Sequence, residues 1–455
     1  MLFRQRERKV ATGLVDDGTT LLLGLEGVSV ERVEQARDGT RVVHVATAEV
    51  SASACPDCGV FSTAVKQNVT TRPRDLPYGE KKIELRWHKR RWRCTEQQCP
   101  RESFTETIEQ VPWRSRTTSR LRAACADAVA DGRNVQEVAR SHRVSWPTVQ
   151  RAVDERAAAE LGEPAPTPVL GVDETRFGRP RWVRDEATCR WRRSDPWQTG
   201  FVDLAGGQGL LGQVTGRTAA AVTGWLAARS EAWRAAVEVV VIDPHAGYRK
   251  AIRETLPHAT VVVDHFHLVA LANKTVTEVR QRITRDHRGR RGRKTDPEWA
   301  NRRRLLRARE RLTQAQFARM WNELVDGDPT GHILAAWIAK EELRALLKVA
   351  QRGGQRHEIS HRLWRFYHWC AKTSVPEVHA LAETVEAWWP EIEAFLRLNV
   401  TNAATEGTNR LVKQVKRAAC GFRNERHYRD RVRLHCARSR KHRASTRTMR
   451  LPAQS

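Results

Sequence analysis

Four cysteines in this chain are spaced to hold a metal. Cys55 and Cys58 form a C-x2-C pair in ACPDCG, with Gly59 placed for the tight turn, and Cys94 and Cys99 form a second pair in RCTEQQC. Four thiolates close a tetrahedron around one Zn2+. Between the pairs, Ile83, Leu85 and Trp87 alternate with Lys82, Glu84 and Arg86 at the period of a strand, so the expected unit is a zinc ribbon. Four buried, unligated cysteines are the alternative. A second set of candidates is acidic. Asp173, Asp243 and Asp264 close the apolar runs of VLGVDETRF, VEVVVID and ATVVVD, and α/β folds place their sites at the C-terminal ends of strands. Glu406 has a different setting, as the only acid of TNAATEGTNRLVKQVKRAACGF among Arg410, Lys413, Lys416 and Arg417. On a helix Glu406, Arg410, Lys413 and Arg417 share one stripe, and Leu411, Val415, Ala418 and Phe422 the opposite one. Such an acid is either an ordinary i,i+4 partner of Arg410 or a carboxylate held for chemistry among phosphate-seeking cations.

The elements that must position these residues follow from periodicity. VLGVDETRF, QTGFVDL and LLGQVTG read as three strands and AAAVTGWLAAR as a helix; two strands, VEVVVID and ATVVVD, then alternate with the helices AGYRKAIRETL and HFHLVALANK. That order predicts a mixed sheet covered by helices. GQGLLG, residues 207–212, matches a dinucleotide fingerprint on paper but lies between two strands, so it is expected to be a hairpin turn. Between Asp264 and Glu406 lie about 140 residues, too many for a loop, and their helical spacing predicts an all-helical insertion. Upstream, residues 118–157 give a first helix marked by Leu121, Cys125 and Val129, then two short helices joined across His142 to Ser145. This is a helix-turn-helix pattern, which would lay Trp146, Thr148, Gln150 and Arg151 into a major groove; a plain three-helix packing unit is the alternative. GEPAPTP, 162–168, is the clearest linker.

Composition points to the partner. A chain of 455 residues predicts about three domains, and a formal net charge of +27 suits a polyanion. Nucleic acid leads over an acidic membrane, because there is no apolar run of 18 residues and no signal peptide behind MLFRQRERKV. A soluble cytoplasmic protein is expected. Nine cysteines without a regular framework favour a metal site over disulfides. The tail from Ser439 to Ser455 is polar and basic and is expected to be disordered.

The ribbon, the helix-turn-helix, VLGVDETRFG, VIDPHAGYRKAI, DHFHL and TEGTNRLVKQVKRAACGFR, in this order, resemble the ISL-three family of bacterial insertion-sequence transposases. The resemblance implies a multidomain α/β protein with an RNase H-like core and a DDE triad of Asp173, Asp243 and Glu406. Its expected divisions are an extension 1–20, a zinc-ribbon domain 21–115, a helix-turn-helix 116–160, a linker 161–168, a core in two parts, 169–275 and 399–438, around a helical insertion 276–398, and a basic tail 439–455. The triad would hold two Mg2+ or Mn2+ ions about 4 Å apart, the arrangement that phosphodiester hydrolysis and transesterification call for. Arg410, Lys413, Lys416 and Arg417 would hold the DNA. Asp264 is the rival acid, expected instead to orient His267 or the following helix. His245, His265 and His267 read as structural or phosphate-contacting. Trp364, Trp369, Trp388 and Trp389 either stack on a displaced base, as in related insertion domains, or fill the helical core. The expected partners are double-stranded transposon ends and target DNA, bound by a homodimer or higher oligomer associated with the nucleoid and not with membrane. A DNA-binding regulator that needs no acids and an RNase H-like nuclease or resolvase without strand transfer are the competing functions.

Overall fold

The computed structural model describes residues 17–78 and 83–449. Most of the N-terminal extension (1–16), Lys82 of the strand pattern and the end of the tail (450–455) lie outside the described residues. The chain forms two compact units, Met1–Gly162 with Lys413–Ser455, and Glu163–Val412. The segment 399–438, expected to complete the core, is thus shared between them at Lys413.

In the first unit, helix α1 (Asp17–Leu23) precedes strands β1 (Val28–Gln35), β2 (Arg41–Thr47), β3 (Val65–Thr71), β4 (Ile83–Arg93) and β5 (Ser103–Thr105). The sheet runs β1-β2-β4-β3, with β5 on β4. The long strand β4 serves two small cores because successive side chains face opposite ways. Leu85 and Trp87 pack with Val28, Val30, Val43, Val45, Ile108 and Val111. Trp92, of opposite parity, packs with Phe104 and Cys55 behind the cysteine pairs. The buried carboxylate of Glu106 knits this region together, accepting from Thr47 Oγ1 (2.8 Å), the Arg90 amide (2.9 Å), Arg90 Nε (2.7 Å) and Trp92 Nε1 (3.2 Å).

Three helices follow, α2 (Ser119–Ala130), α3 (Val135–Ser141) and α4 (Trp146–Glu160), as the helix-turn-helix pattern requires. Each has a side-chain N-cap: Thr118 accepts from the Leu121 amide, Asn134 from Gln136 and Ser145 from Thr148, and Pro147 sits in the first turn of α4, where a missing N–H costs nothing. Leu121, Cys125, Val129, Val138, Val149 and Val153 fill the core among the three.

The second unit holds β6 (Val169–Arg176), a short ribbon of β7 (Arg181–Arg184) and β8 (Trp191–Ser194), then β9 (Trp197–Asp203), β10 (Leu210–Thr215), α5 (Ala219–Ala227), α6 (Glu231–Ala235), β11 (Val239–Ile242), α7 (Ala246–Thr255), β12 (Thr260–Val263) and α8 (His265–Arg288). Apart from the ribbon and α6, this is the expected alternation. The main sheet runs β10-β9-β6-β11-β12. Its first three strands are antiparallel neighbours, while β6, β11 and β12 are parallel. GQGLLG spans the β9–β10 turn and enters β10, so it is a hairpin and no dinucleotide loop.

The inserted region is helical: α9 (Pro297–Ala300), α10 (Arg302–Leu305), α11 (Gln314–Gly327), α12 (His332–Leu347), α13 (Arg356–Lys372), α14 (Pro376–Ala387) and α15 (Trp389–Leu398). The 24-residue α8 runs through the expected boundary at 275, and its Leu268, Ala272, Val276 and Val279 belong to the same continuous core as Val172 of the sheet and Leu343 of the insertion. Trp388 caps both α14 and α15, and Pro390 starts the second of them because it cannot continue the first. The fully buried Lys340 donates to the carbonyls of Leu305 (2.7 Å) and Arg307 (2.8 Å), which the end of α10 leaves without helical partners.

Helix α16 (Ala403–Ala418) bears Glu406, and α17 (Glu425–Met449) closes the chain. Two readings of this stretch are corrected. Cys420 and Gly421 adopt positive φ, ending α16 before Phe422, which packs edge-on against Tyr428 (5.2 Å) instead of lying on the helical stripe. The basic tail also continues α17 as far as Met449, having no proline or glycine there to stop it.

Gly171 of β6 explains how the start of α16 approaches the sheet. A Cβ on Gly171 would lie 2.4 Å from Thr405 Oγ1 and 2.9 Å from Asn402 Oδ1. Gly171→Ala is therefore expected to destabilise the protein by about 1–3 kcal/mol, the usual cost of overpacking, measured as a lower denaturant midpoint. An unchanged midpoint would show that α16 is not seated on β6.

Candidate functional site

Strand register brings the first two acids together. Val172 of β6 pairs with Ile242 of β11, and Ile242 pairs with Val263 of β12, so Asp173, Asp243 and Asp264 stand next in line on three adjacent parallel strands. Carboxylate oxygens of Asp173, Glu174 and Asp243 lie within 4.8 Å of one another, and so do ligand atoms of Asp243, Asp264 and His267. Glu174 escaped the sequence reading because it looked like part of the run rather than its end.

Each acid has a distinct environment. Asp173 accepts from the Glu174 amide (2.6 Å) and from Asn409 Nδ2 (2.5 Å). Burial first, then the charge of Asp243, pushes its carboxyl up to about 7. Asp243 meets His267 Nε2 at 2.9 Å, while His267 Nδ1 lies 3.2 Å from Asp264. Asp243 and then Asp264 push the His267 imidazole up to about 10, so a cationic ring lies between the two carboxyl groups. Asp264, at 1 % exposure, also caps α8 by accepting from the Phe266 amide. Its contacts are thus with His267 and with the first turn of the helix. Asp243 Oδ1 and Glu174 Oε2 are buried without a hydrogen-bond partner among the described residues. Hard carboxylate oxygens, two of them unsatisfied, are a donor set suited to Mg2+ or Mn2+.

Glu406 is exposed on the first turn of α16 and belongs to neither cluster of ligand atoms among the described residues. Its charge acts on His265, which burial keeps below the ordinary imidazole range despite Asp264 and Glu406 and which stacks on Phe395 (4.7 Å). One turn further on, Asn409 reaches Asp173. Its spacing of three from Glu406 was the available signal, hidden because asparagine is common on any polar helix face. Along α16, Arg410, Lys413 and Arg417 are exposed and Lys416 is half-buried; burial, then Lys413, lowers the Lys416 ammonium.

On α4, Trp146 and Arg151 are exposed and Thr148 is half-buried beside its cap, Ser145. Gln150, expected on the reading face, is only 7 % exposed and donates to Asp154 (2.8 Å) one turn away. In the insertion, Trp388 is buried and Trp369 and Trp389 pack against the core, whereas Trp364 is exposed and stacks on His368 (4.6 Å).

The cysteine pairs converge. All four sulfurs lie within 4.8 Å of one another, with Cys55 Sγ 3.9 Å from Cys99 Sγ and Cys58 Sγ 3.6 Å from Cys94 Sγ. Gly59, at φ +74°, makes the knuckle that returns its amide to the Cys55 carbonyl (2.8 Å). Desolvation opposes ionisation of Cys55, but the amides of Cys58 and Asp57 outweigh it and bring the thiol to about 7. Cys94 is pushed the other way, up to about 12: the Glu96 amide favours its thiolate, and desolvation with the neighbouring sulfurs overrides it. Four sulfurs at this spacing suit a shared cation, and a set of four cysteines fits Zn2+.

Comparison with known proteins agrees with this arrangement. The ISL3 DDE family model, described as transposase, matches residues 170–432. The zinc-finger model of transposases IS204/IS1001/IS1096/IS1165 matches 51–99, and the helix-turn-helix model of transposase family ISL3 matches 106–157. The transposase for insertion sequence element IS1001 of Bordetella parapertussis is 26% identical over 418 residues, covering 89% of this chain and 94% of that protein. The transposase for element IS1557 of Mycobacterium tuberculosis is 24% identical over 430 residues, covering 88% and 89%. The solved strand transfer complex of the Drosophila P element transposase shares 10% identity over 69% of this chain and 91% of its own, at a TM-score of 0.35, and adds nothing to the assignment. With a zinc ribbon, a helix-turn-helix and a DDE domain in family order, this chain belongs to the ISL3 family of transposases.

Proposed function

We propose that this transposase binds the terminal inverted repeats of its insertion sequence and catalyses DNA strand cleavage and strand transfer at one site built on Asp173, Asp243 and Glu406. The observation that carries the reading is the register of β6 and β11, which sets Asp173 beside Asp243 and leaves Asp243 Oδ1 buried without a partner. Two Mg2+ or Mn2+ ions, when bound, supply activation of the attacking oxygen and neutralisation of the leaving one. The chain's own residues do the rest. Asp173, Asp243 and Glu406 would hold the cations, with Glu406 presented by the same helix whose Asn409 bonds to Asp173. His267, fixed by Asp264, orients Asp243. Arg410, Lys413, Lys416 and Arg417 steer the phosphate backbone toward the acids. Water opens the phosphodiester at the element's end and frees a 3′-hydroxyl, which then attacks a phosphodiester of target DNA, with no covalent enzyme intermediate. Recognition of the repeats falls to the first unit, where Trp146, Thr148 and Arg151 lead α4 into a major groove and the zinc ribbon adds phosphate contacts. Gln150 is left out of this surface because Asp154 occupies it. A homodimer or larger oligomer would hold two element ends together.

Asp173→Asn, Asp243→Asn and Glu406→Gln are each expected to abolish cleavage and strand transfer in Mg2+ while DNA binding persists, since each removes one ligand charge and no phosphate contact. Asp264→Asn should retain measurable activity, because asparagine still caps α8. Cleavage of an oligonucleotide carrying the element end reads all four; near-native cleavage by Glu406→Gln would return that acid to a surface pair with Arg410, and a dead Asp264→Asn would redraw the triad.

A Cys94→Ser, Cys99→Ser protein is expected to lose its one equivalent of zinc, measured by elemental analysis, together with the near-ultraviolet signal of the packed ribbon tryptophans. Full zinc content in that variant would remove these cysteines from the metal site. Arg151→Ala should weaken repeat binding, and the affinity of the native protein should fall steeply as salt rises, followed by anisotropy.

A further inference from the structure

The β7–β8 ribbon is unexplained by anything above. It leaves the sheet just beyond Asp173: Arg176 of β6 pairs with Trp197 of β9, the Phe177 amide bonds to the Pro196 carbonyl (2.8 Å), and the two chains continue as a two-stranded arm. Its register is Arg181↔Ser194, Trp182↔Arg193, Val183↔Arg192 and Arg184↔Trp191. Opposed residues share a face and neighbours along a strand alternate, so Trp182, Arg184, Trp191 and Arg193 all project from one face. Both tryptophans are 65% exposed. Neither ring has an aromatic or cationic partner among the described residues, in contrast to Trp197, which is flanked by Arg176 and Arg217. Arg193 has no ion pair among the described residues, and Arg184 bonds only weakly to the carbonyl of its own loop residue Cys189 (3.4 Å). Two nearby acids are engaged elsewhere: Asp185 holds the loop through the amide and hydroxyl of Thr188 (2.9 and 3.0 Å) and faces Arg192 on the other side, and Asp195 pairs with Arg176; the third, Glu186, is exposed in the loop. A two-stranded ribbon is marginal by itself, and two large rings left in water make it more so; nothing in its own fold accounts for them.

We propose that this face binds unpaired nucleotides of the DNA substrate beside the active site, with Trp182 and Trp191 stacking on bases and Arg184 and Arg193 holding the intervening phosphates. The arginines alone could meet an intact duplex, and it is the two exposed indoles that mark the face out for unpaired bases. Flat indole faces find their complement where bases are unstacked, and rings and cations at alternate corners of one face suit the alternation of base and phosphate along a single strand. The inference rests on the reading that this chain acts on DNA, and it adds that the strands are parted at the point of reaction and that this ribbon holds one of them.

The test uses the full chain and two labelled probes of equal length and charge, a blunt duplex and a duplex whose last six base pairs are replaced by unpaired thymidines, followed by anisotropy across a salt series. The native protein is expected to favour the forked probe. Trp182→Ala, Trp191→Ala should lose about 30-fold or more on the fork while keeping its blunt-duplex affinity. Trp182→Phe, Trp191→Phe, which keeps the aromatic faces, should retain most of the preference and so separates stacking from a damaged fold. Arg184→Ala, Arg193→Ala should lower the salt slope on the unpaired tract by about 1.4. Equal losses on both probes would overturn the proposal in favour of a duplex surface, and no loss on either would leave the ribbon without a role in DNA binding. A protein that prefers the fork and yet never cuts DNA would sink the catalytic reading and leave this one standing.

Discussion

Two carboxylates held on adjacent strands repel, and the repulsion between Asp173 and Asp243 is the constraint from which the rest of the second unit can be understood. With oxygens under 4.8 Å apart, two full charges would cost about 3–4 kcal/mol at an effective dielectric near 20. The fold imposes this through four residues of parallel register between β6 and β11, which are held in turn by the buried side chains of Leu170, Val172, Val240 and Ile242. Hydrophobic packing thus fixes an electrostatically unfavourable pair, a feature that recurs at functional sites. Three groups answer that charge, the Glu174 amide and Asn409 on Asp173 and His267 on Asp243, while the Glu174 carboxylate adds to it.

Much of this was legible because the deciding patterns are local. The four cysteines, the three apolar runs ending in aspartate, and the Ser145 cap before Trp146 and Pro147 are each complete within a few residues. The structure places them as those patterns predict. What was missed depends on partners remote in sequence or on competition between neighbours. Asn409 matters only because Gly171, more than 200 residues earlier, lacks a Cβ and admits α16. Gln150 sits on the helical position between two stripes, and Asp154 one turn on draws it inward. The ribbon sequences RWVR and WRRS lack the apolar alternation that marks a half-buried strand, since neither face is buried.

The two candidate metal sites differ in kind. The sulfur cluster lies against Trp92 and Phe104 in a core of a few residues, so ligation of a Zn2+ there would supply a large share of what folds that end of the sheet. The carboxylate site stands at the edge of one continuous core that runs from the sheet through α8 into the insertion, and His267 already supplies a positive charge within it. Its architecture is built by packing and its charge is partly balanced from within.

The core of the helix-turn-helix contains a residue from the other end of the chain, Leu434 of α17, and nearby Arg431 donates to the Arg133 carbonyl, His435 meets the Ala130 carbonyl and Arg438 pairs with Asp127. A growing polypeptide therefore cannot complete the packing of these three helices until Arg438 has been added, after every residue of the second unit has been made. Termination before Leu434 would leave the three-helix core without that buried side chain. Chain order in effect couples completion of the helix-turn-helix to the presence of the whole second unit.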